Sequence, residues 1–198
     1  SYAYKYADLR HAYGNDLKKY YLHYINYGSK EGRAATGTTS MQNYTTVYNG
    51  VNYSAVYDGA YYCSQYKDIK QAFGLDDTAM LRHFINYGMN EGRQAKNSFN
   101  VYSYAYKYGD LRRVYKNDLK AYYMHYISYG AREGRVATGT TSMQGCTTVY
   151  NDVDYSAVYN GTYYSSHNAD LRNAFGLDDT AMLRHFINYG MNEGRQAK

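Results

Sequence analysis

The sequence predicts a mainly α protein made of four helical hairpins in two duplicated halves, with short β-hairpin or extended connectors between them. Three observations support this fold class. A Tyr-Gly pair followed by Glu-Gly-Arg occurs four times, the second half of the chain repeats the first at an offset of 102 residues, and apolar residues in each copy follow a helical period. Because a repeat of about 35 residues cannot bury its apolar face alone, such repeats stack on neighbours.

The signature marks four repeats, whose tyrosines lie 60, 42 and 60 residues apart. These tyrosines are Tyr27, Tyr87, Tyr129 and Tyr189. We number the repeats 1 to 4 and predict hairpins at about 1–33, 58–93, 100–135 and 160–195. The duplication groups them into a first repeat pair at 1–98 and a second at 99–198, and residues 72–96 recur without change as 174–198.

The first helix of a hairpin is indicated in repeat 2 by apolar residues at helical spacing. They are Tyr62, Tyr66, Ile69 and Phe73. Asp58 precedes them as a candidate N-cap, and Asn100 and Asn160 stand at the same position in repeats 3 and 4. Gly74 follows them, where a residue that tolerates positive φ ends a helix.

The second helix of repeat 2 begins after Asp76, with Leu81, Phe84 and Ile85 on its apolar face. The glycine of each Tyr-Gly pair follows the last periodic residue. These glycines are Gly28, Gly88, Gly130 and Gly190. We expect them to form left-handed C-terminal caps.

The connectors at 34–57 and 136–159 have strand and turn signals instead of a helical period. In the first, residues 45–48 and 51–54 flank Asn49-Gly50, a pattern typical of a two-residue β-hairpin. The second has Asn151-Asp152 at the turn, which is a weaker signal. The alternative is an extended loop in either connector.

Composition limits the classes of function. Of 198 residues, 31 are tyrosine, 5 phenylalanine and none tryptophan, so most rings carry a hydroxyl that needs a partner or water. The net charge of +5 is spread along the chain with no run of five like charges, which disfavours a dedicated groove for a polyanion. No apolar stretch approaches the roughly 20 residues of a membrane span. Cys63 and Cys146 could form a disulfide or stay two inert thiols.

No catalytic or phosphate-binding motif occurs, so we predict a protein that is not an enzyme and has no cofactor. One histidine per repeat precedes the signature tyrosine by four residues: His23, His83, His125 and His185. A metal site needs three or four converging ligands, so we predict no metal and expect a histidine hydrogen-bonded between hairpin helices.

The acidic residues have structural explanations. Asp76-Asp77 and Asp178-Asp179 stand where a helix begins, where a cap and a favourable helix-dipole charge account for both. A glutamate lies two residues before each signature arginine, at Glu31, Glu91, Glu133 and Glu193. We expect each to form an ion pair that ties a repeat turn to its neighbour.

The pattern Tyr-x-Asp-Leu-Arg, then Gly, Asp, His-Tyr-Ile-Asn-Tyr-Gly and Glu-Gly-Arg, resembles tandem Tyr-rich repeats of secreted Firmicutes proteins. Such repeats accompany cell-wall and glycan hydrolases. The resemblance covers Asp8 to Arg33, Asp68 to Arg93, Asp110 to Arg135 and Asp170 to Arg195. It implies a secreted or cell-surface accessory module that anchors its parent protein, and it brings neither a catalytic nor a binding residue with it.

Tyrosine rings can stack on sugars, and arginines can bind the carboxylates or phosphates of a wall polymer. We therefore expect a non-catalytic module that binds peptidoglycan, teichoic acid or another glycan, without membrane insertion. The candidate ligand residues are Tyr48, Tyr53, Tyr57, Tyr61, Tyr150, Tyr155, Tyr159, Tyr163, Arg33, Arg93, Arg135 and Arg195. The alternatives are a structural spacer or protein-interaction array and, second, a single-stranded nucleic-acid binder.

Overall fold

The computed structural model describes residues 1–198 and is mainly helical with two small hairpins, which confirms the predicted fold class. The α-helices are α1 Tyr2–Lys5, α2 Ala7–Tyr13, α3 Leu17–His23, α4 Gly59–Gln65, α5 Lys67–Phe73, α6 Asp77–His83, α7 Val101–Lys107, α8 Gly109–Tyr115, α9 Leu119–His125, α10 Gly161–His167, α11 Ala169–Phe175 and α12 Asp179–His185. Five-residue π-helical segments follow at Tyr24–Gly28, Phe84–Gly88, Tyr126–Gly130 and Phe186–Gly190. The strands are β1 Val47–Tyr48, β2 Val51–Asn52, β3 Val149–Tyr150 and β4 Val153–Asp154.

Both connectors contain the antiparallel hairpin, β1 with β2 and β3 with β4, rather than an extended loop. Asn49 and Gly50 have φ of 49° and 76°, as a two-residue type I′ turn requires. Asn151 and Asp152 reach φ of 49° and 62° without a glycine. The weaker turn signal of the second connector thus gives the same structure, because Asn and Asp also tolerate positive φ.

The chain divides into two compact units, each with two repeats. The first unit comprises Ser1–Met89 and Arg93–Asn97, and the second comprises Asn90–Gly92 and Ser98–Lys198. Helix α2 packs on α6 in the first unit, and α8 packs on α12 in the second. In each unit, the second helix of the odd-numbered repeat therefore contacts the third helix of the even-numbered repeat.

The first arm of each hairpin is two helices joined at a bend, whereas the periodicity predicts one continuous helix. The bend residue of repeat 2 is Tyr66, with an extended φ of −123° and ψ of 99°. The same bend occurs at Tyr6, Tyr108 and Asn168. In repeat 1 a buried side chain binds the carbonyls that the bend frees: Arg10 Nη1 donates to Ala3 and Tyr4 at 3.0 and 2.9 Å.

The predicted N-caps are confirmed. Asp58 accepts from the Tyr61 N–H at 3.0 Å, and Asp76 accepts from the Ala79 N–H at 2.8 Å. Asn100 and Asn160 cap α7 and α10 in the same way. Gly74 ends α5 with a φ of 56°, as predicted.

The prediction that the Tyr-Gly glycines are left-handed caps is wrong. None of Gly28, Gly88, Gly130 and Gly190 has a positive φ; the helix continues through them as a π-helical segment. The left-handed residue is the glycine of Glu-Gly-Arg, such as Gly134 with a φ of 66°. Gly130 is needed for a different reason, because a Cβ there would lie 2.3 Å from the Tyr104 hydroxyl oxygen.

A buried arginine–aspartate pair joins the two repeats of each unit. Arg10 Nη2 lies 3.3 Å from Asp77 Oδ2, and both side chains are fully buried. Arg112 and Asp179 form the equivalent pair at 3.2 Å. Burial raises the pKa of Asp179, against the lowering effect of Arg112. The cap explanation therefore holds for the first aspartate of each Asp-Asp pair, while the second is also the partner of a buried arginine.

The pair also holds the connector. In the first unit, Arg10 Nη2 donates to the Asn43 carbonyl at 3.1 Å, and Asp77 Oδ2 accepts from the Thr45 backbone N–H at 2.9 Å. Asn15 adds a further contact between repeats 1 and 2, because its side chain accepts from the Leu75 N–H at 2.7 Å. The buried arginine–aspartate pair thus contacts the bend of one repeat, the connector and the third helix of the next repeat.

We expect Arg112→Ala to destabilise the second unit by about 3–5 kcal/mol, because it leaves the buried Asp179 without a counter-charge. Arg172 is the matched control, since it occupies the same position of repeat 4 but is exposed. Arg172→Ala should change the free energy of unfolding by no more than about 0.5 kcal/mol. Urea unfolding followed by circular dichroism measures both, and equal effects of the two substitutions would refute the assigned role.

Candidate functional site

The eight tyrosines that the sequence nominates as ligand contacts are largely covered. Tyr57 and Tyr159 are only 2% and 1% exposed, with hydroxyls that have no hydrogen-bond partner. Tyr53 is buried as well. The other five are half-buried: Tyr48, Tyr61, Tyr150, Tyr155 and Tyr163. A ligand cannot reach Tyr57 or Tyr159 in this structure, and their rings serve packing.

Several of the half-buried rings already have partners. The guanidinium of Arg184 lies 5.6 Å from the centre of the Tyr150 ring. Tyr163 stacks on His167 at 3.8 Å between ring centres. Tyr155 packs against the core of the second unit. Ligand binding by Tyr48 and Tyr61, which have the fewest such contacts, stays a prediction.

The signature arginines are engaged inside their own repeats. Arg33 donates to Asp8 at 2.8 Å and to Glu31 at 2.7 Å, and its guanidinium lies 4.8 Å from the centre of the Tyr6 ring. Arg135 makes the same three contacts with Asp110, Glu133 and Tyr108. The expectation that the glutamate–arginine pair ties one repeat to the next is therefore wrong for these repeats, because both members belong to one turn.

The other two arginines follow the same plan. Arg195 contacts Glu193 and Asp170. Arg93 donates to Asp68 at 3.0 Å, and this hydrogen bond lowers the pKa of the Asp68 carboxyl. Arginines with these contacts have fewer N–H donors left for a ligand carboxylate or phosphate.

The tyrosines of the Tyr-Gly signature are the exposed rings that recur in every repeat. Their exposed fractions are 60% for Tyr27, 60% for Tyr87, 55% for Tyr129 and 59% for Tyr189. Sequence reasoning used them only to count repeats. The signal that could have found them is their phase: Tyr87 lies six residues after Leu81, which places it roughly 120° around the helix from that apolar residue.

A histidine lies beside each exposed tyrosine. The ring centres of His23 and Tyr27 are 5.7 Å apart, and His125 and Tyr129 are also separated by 5.7 Å. The same pair is formed in repeats 2 and 4, by His83 with Tyr87 and by His185 with Tyr189. We call these four arrangements the Tyr–His pairs.

A buried or half-buried tyrosine of the first helix orients each histidine, which confirms the expected hydrogen bond between hairpin helices. Tyr104 Oη lies 2.9 Å from His125 Nδ1, and Tyr2 Oη lies 2.9 Å from His23 Nδ1. The bond recurs between Tyr62 and His83 and between Tyr164 and His185. Gly130 and its counterparts admit the hydroxyl, so the glycine, tyrosine and histidine of a repeat form one arrangement.

The direction of this hydrogen bond follows from the acidity of the two groups. Burial raises the pKa of Tyr104 well above its usual value of about 10, so the phenol keeps its proton. Burial, followed by the charge of Arg135, lowers the pKa of His125, which favours the neutral imidazole. A phenol is the better donor and an imidazole nitrogen the better acceptor, so we assign the histidine proton to Nε2.

Other reactive groups form no second site. Cys63 and Cys146 are free thiols, and burial raises the pKa of each. Nowhere in the structure do three His, Cys, Asp or Glu side chains converge as metal ligands would. None of the helices has the length and apolar character of a membrane span.

In comparisons with known proteins, no family model, curated protein or solved structure matches the chain.

Acid should weaken the second unit through His125. Because its folded pKa is below the value of about 6.5 that it has when unfolded, its contribution to stability is complete above that pH and is lost as pH falls through the folded pKa. We expect the melting temperature to fall between about pH 7 and pH 5, and His125→Gln to reduce that fall. Identical pH profiles of the two proteins would contradict the assignment.

Gly130→Ala should displace the Tyr104 hydroxyl and cost about 1–3 kcal/mol. Because Tyr104→Phe removes the clashing oxygen, the double variant should be more stable than the sum of the two single effects predicts. Gly134→Ala is the control: a Cβ there meets nothing within 4 Å, and only its φ of 66° is unfavourable. Denaturant unfolding measures the cycle, and strict additivity would exclude the proposed contact.

Proposed function

We propose that this chain is a non-catalytic repeat module that binds a cell-wall polymer or another glycan at its Tyr–His pairs. The observation that carries the proposal is the exposure of one tyrosine beside an oriented histidine in all four repeats. Packing does not account for a ring that is more than half exposed. Because each repeat presents the same Tyr–His pair, a polymer of repeating units could contact all four pairs in the same way.

Each Tyr–His pair combines two features that suit a sugar. The open face of Tyr27 or Tyr129 can stack on the C–H face of a pyranose ring. The Nε2–H of the neighbouring His23 or His125 can donate to a hydroxyl or carbonyl oxygen at the edge of that ring. These histidines bind their own repeat through Nδ1, so Nε2 remains available.

Four weak sites on one chain support tight overall binding. After the first contact, the remaining pairs meet the polymer at the high effective concentration that linkage provides. A single pair should then bind weakly, and affinity should rise steeply with the number of intact pairs. This accounts for four similar repeats in a chain whose arginines and core tyrosines are occupied by structural contacts.

The charge and the resemblance narrow the ligand class within this proposal. A net charge of +5 favours an anionic polymer such as teichoic acid or peptidoglycan over a neutral glycan. The resemblance to repeats of secreted Firmicutes proteins points to the cell surface and to an anchoring role. In this proposal the repeats hold a parent protein on the envelope and do no chemistry there.

The test is retention on isolated Gram-positive cell walls and on insoluble polysaccharides. A variant carrying Tyr27→Ala, Tyr87→Ala, Tyr129→Ala and Tyr189→Ala should bind at least about tenfold more weakly, which corresponds to ~1.4 kcal/mol. The rings are exposed, so the variant should keep its fold and its circular dichroism spectrum. Failure of the unaltered chain to bind any wall polymer or glycan would refute the proposal.

Two matched variants locate the contact. Tyr→Phe at the same four positions keeps the rings and should retain most of the binding. Tyr61→Ala with Tyr163→Ala tests the nominated tyrosines of helices α4 and α10. A loss confined to this second variant would move the ligand away from the Tyr–His pairs.

A further inference from the structure

Each unit contains a cavity between its connector and the first arm of its even-numbered repeat. In the first unit the cavity measures ≈ 450 Å³ and lies between residues 39–41 and helices α4 and α5. In the second unit it measures ≈ 130 Å³ and lies between residues 141–143 and helices α10 and α11. Every residue that lines the second cavity is the counterpart, at the offset of 102, of a residue that lines the first. The same cavity is thus built twice, and the second one lies wholly within residues 106–176.

One positively charged side chain lines each cavity, Lys70 in the first and Arg172 in the second. Both side chains are exposed, and neither forms an ion pair or a side-chain hydrogen bond. At the same helix position of repeats 1 and 3, by contrast, Arg10 and Arg112 are buried and paired with aspartates. The cation of the even-numbered repeats therefore has no structural partner in the protein.

No group of the protein neutralises the cation of the first cavity. Neither cavity is lined by an aspartate or a glutamate. Burial raises the pKa of the Cys63 thiol, against the lowering effect of Lys70, so the thiol keeps its proton. Burial also raises the pKa of Tyr44, to about 12. The charge of Lys70 is thus available to an anion that enters the cavity.

Hydroxyl groups of the connector line the same cavities. None of these hydroxyls forms a hydrogen bond within the protein. They belong to Thr39 and Ser40 in the first unit and to Thr141 and Ser142 in the second. The connector is fixed next to them, because the Gln42 N–H donates to the Tyr4 carbonyl at 3.0 Å and the buried Arg10 binds the Gln42 carbonyl. The hydroxyls are therefore held beside the cavity before a ligand arrives.

We propose that each of these cavities binds one anionic group, a phosphate or a carboxylate, between its cation and its connector hydroxyls. The anionic oxygens pair with Lys70 or Arg172 and accept hydrogen bonds from the threonine and serine hydroxyls. The site is separate from the Tyr–His pairs. Only the source of the anion rests on the proposed function, in which an acidic wall polymer supplies it.

Cys63 serves as the reporter of the first cavity, which it lines, and Cys146 is the internal control because it lines neither cavity. The full chain is alkylated with iodoacetamide in glycerol phosphate, in lactate and in chloride at equal ionic strength, and each thiol is followed by peptide mass spectrometry. We expect glycerol phosphate or lactate, at saturation, to slow alkylation of Cys63 at least about fivefold relative to chloride and to leave Cys146 unchanged. The anion that protects Cys63 identifies the group as phosphate or carboxylate.

Two charge variants assign the protection to the cavity. Lys70→Gln removes the cation of the first cavity and should weaken the protection of Cys63 at least about fivefold. Arg172→Gln alters only the second cavity and should leave that protection unchanged. Equal alkylation of Cys63 in all three salts, or protection that survives Lys70→Gln, would overturn the proposal.

Retention on cell walls separates this result from the proposed function. Protection of Cys63 by a small anion, with no retention on any wall polymer or glycan, would support the cavity site and refute the proposed polymer ligand. Retention on walls without protection of Cys63 by either anion would refute the cavity site and leave the Tyr–His pairs as the contact.

Discussion

The structure depends on burying one guanidinium per unit. Helices of seven residues are too short to be stable alone, so each must be held by its neighbours. Arg10 does this in the first unit by binding carbonyls of its own repeat, the connector and a carboxylate of the following repeat. A buried charge is costly unless it is paired, and this pairing holds the three segments in one geometry.

Much of the fold could be predicted because its signals are local. Asp58 and Asp76 cap helices, Asn49-Gly50 forms a hairpin turn and Gly74 ends a helix, and each of these depends on residues close in sequence. The bend at Tyr66 was not predicted, because the apolar stripe continues in phase across it. In repeats 1 and 3 an arginine binds the carbonyls that the bend frees, and its own partner is an aspartate 67 residues away.

The candidate site was harder to predict, since the same residue type fills the core and the surface. Tyr57 and Tyr27 are both tyrosines near a helix, yet 2% of one and 60% of the other is exposed. Composition cannot separate them. Their neighbours do: Tyr27 follows a histidine by one helical turn and precedes the glycine that admits the Tyr2 hydroxyl, whereas Tyr57 stands before an N-cap. The glycine of each Tyr-Gly pair, which we predicted to be a helix cap, therefore marks the exposed tyrosine that precedes it.

The two members of each arginine–aspartate pair come from different repeats. The odd-numbered repeat supplies the arginine and the even-numbered repeat supplies the aspartate. The position of Arg10 is taken by the exposed Lys70 in repeat 2, and the position of Asp77 is taken by Leu17 in repeat 1. Inserting a lone repeat would bring together two surfaces that do not match, and would strand an ionised group in the interior. The duplication at an offset of 102 residues copies an odd and an even repeat together, which keeps each arginine with its aspartate.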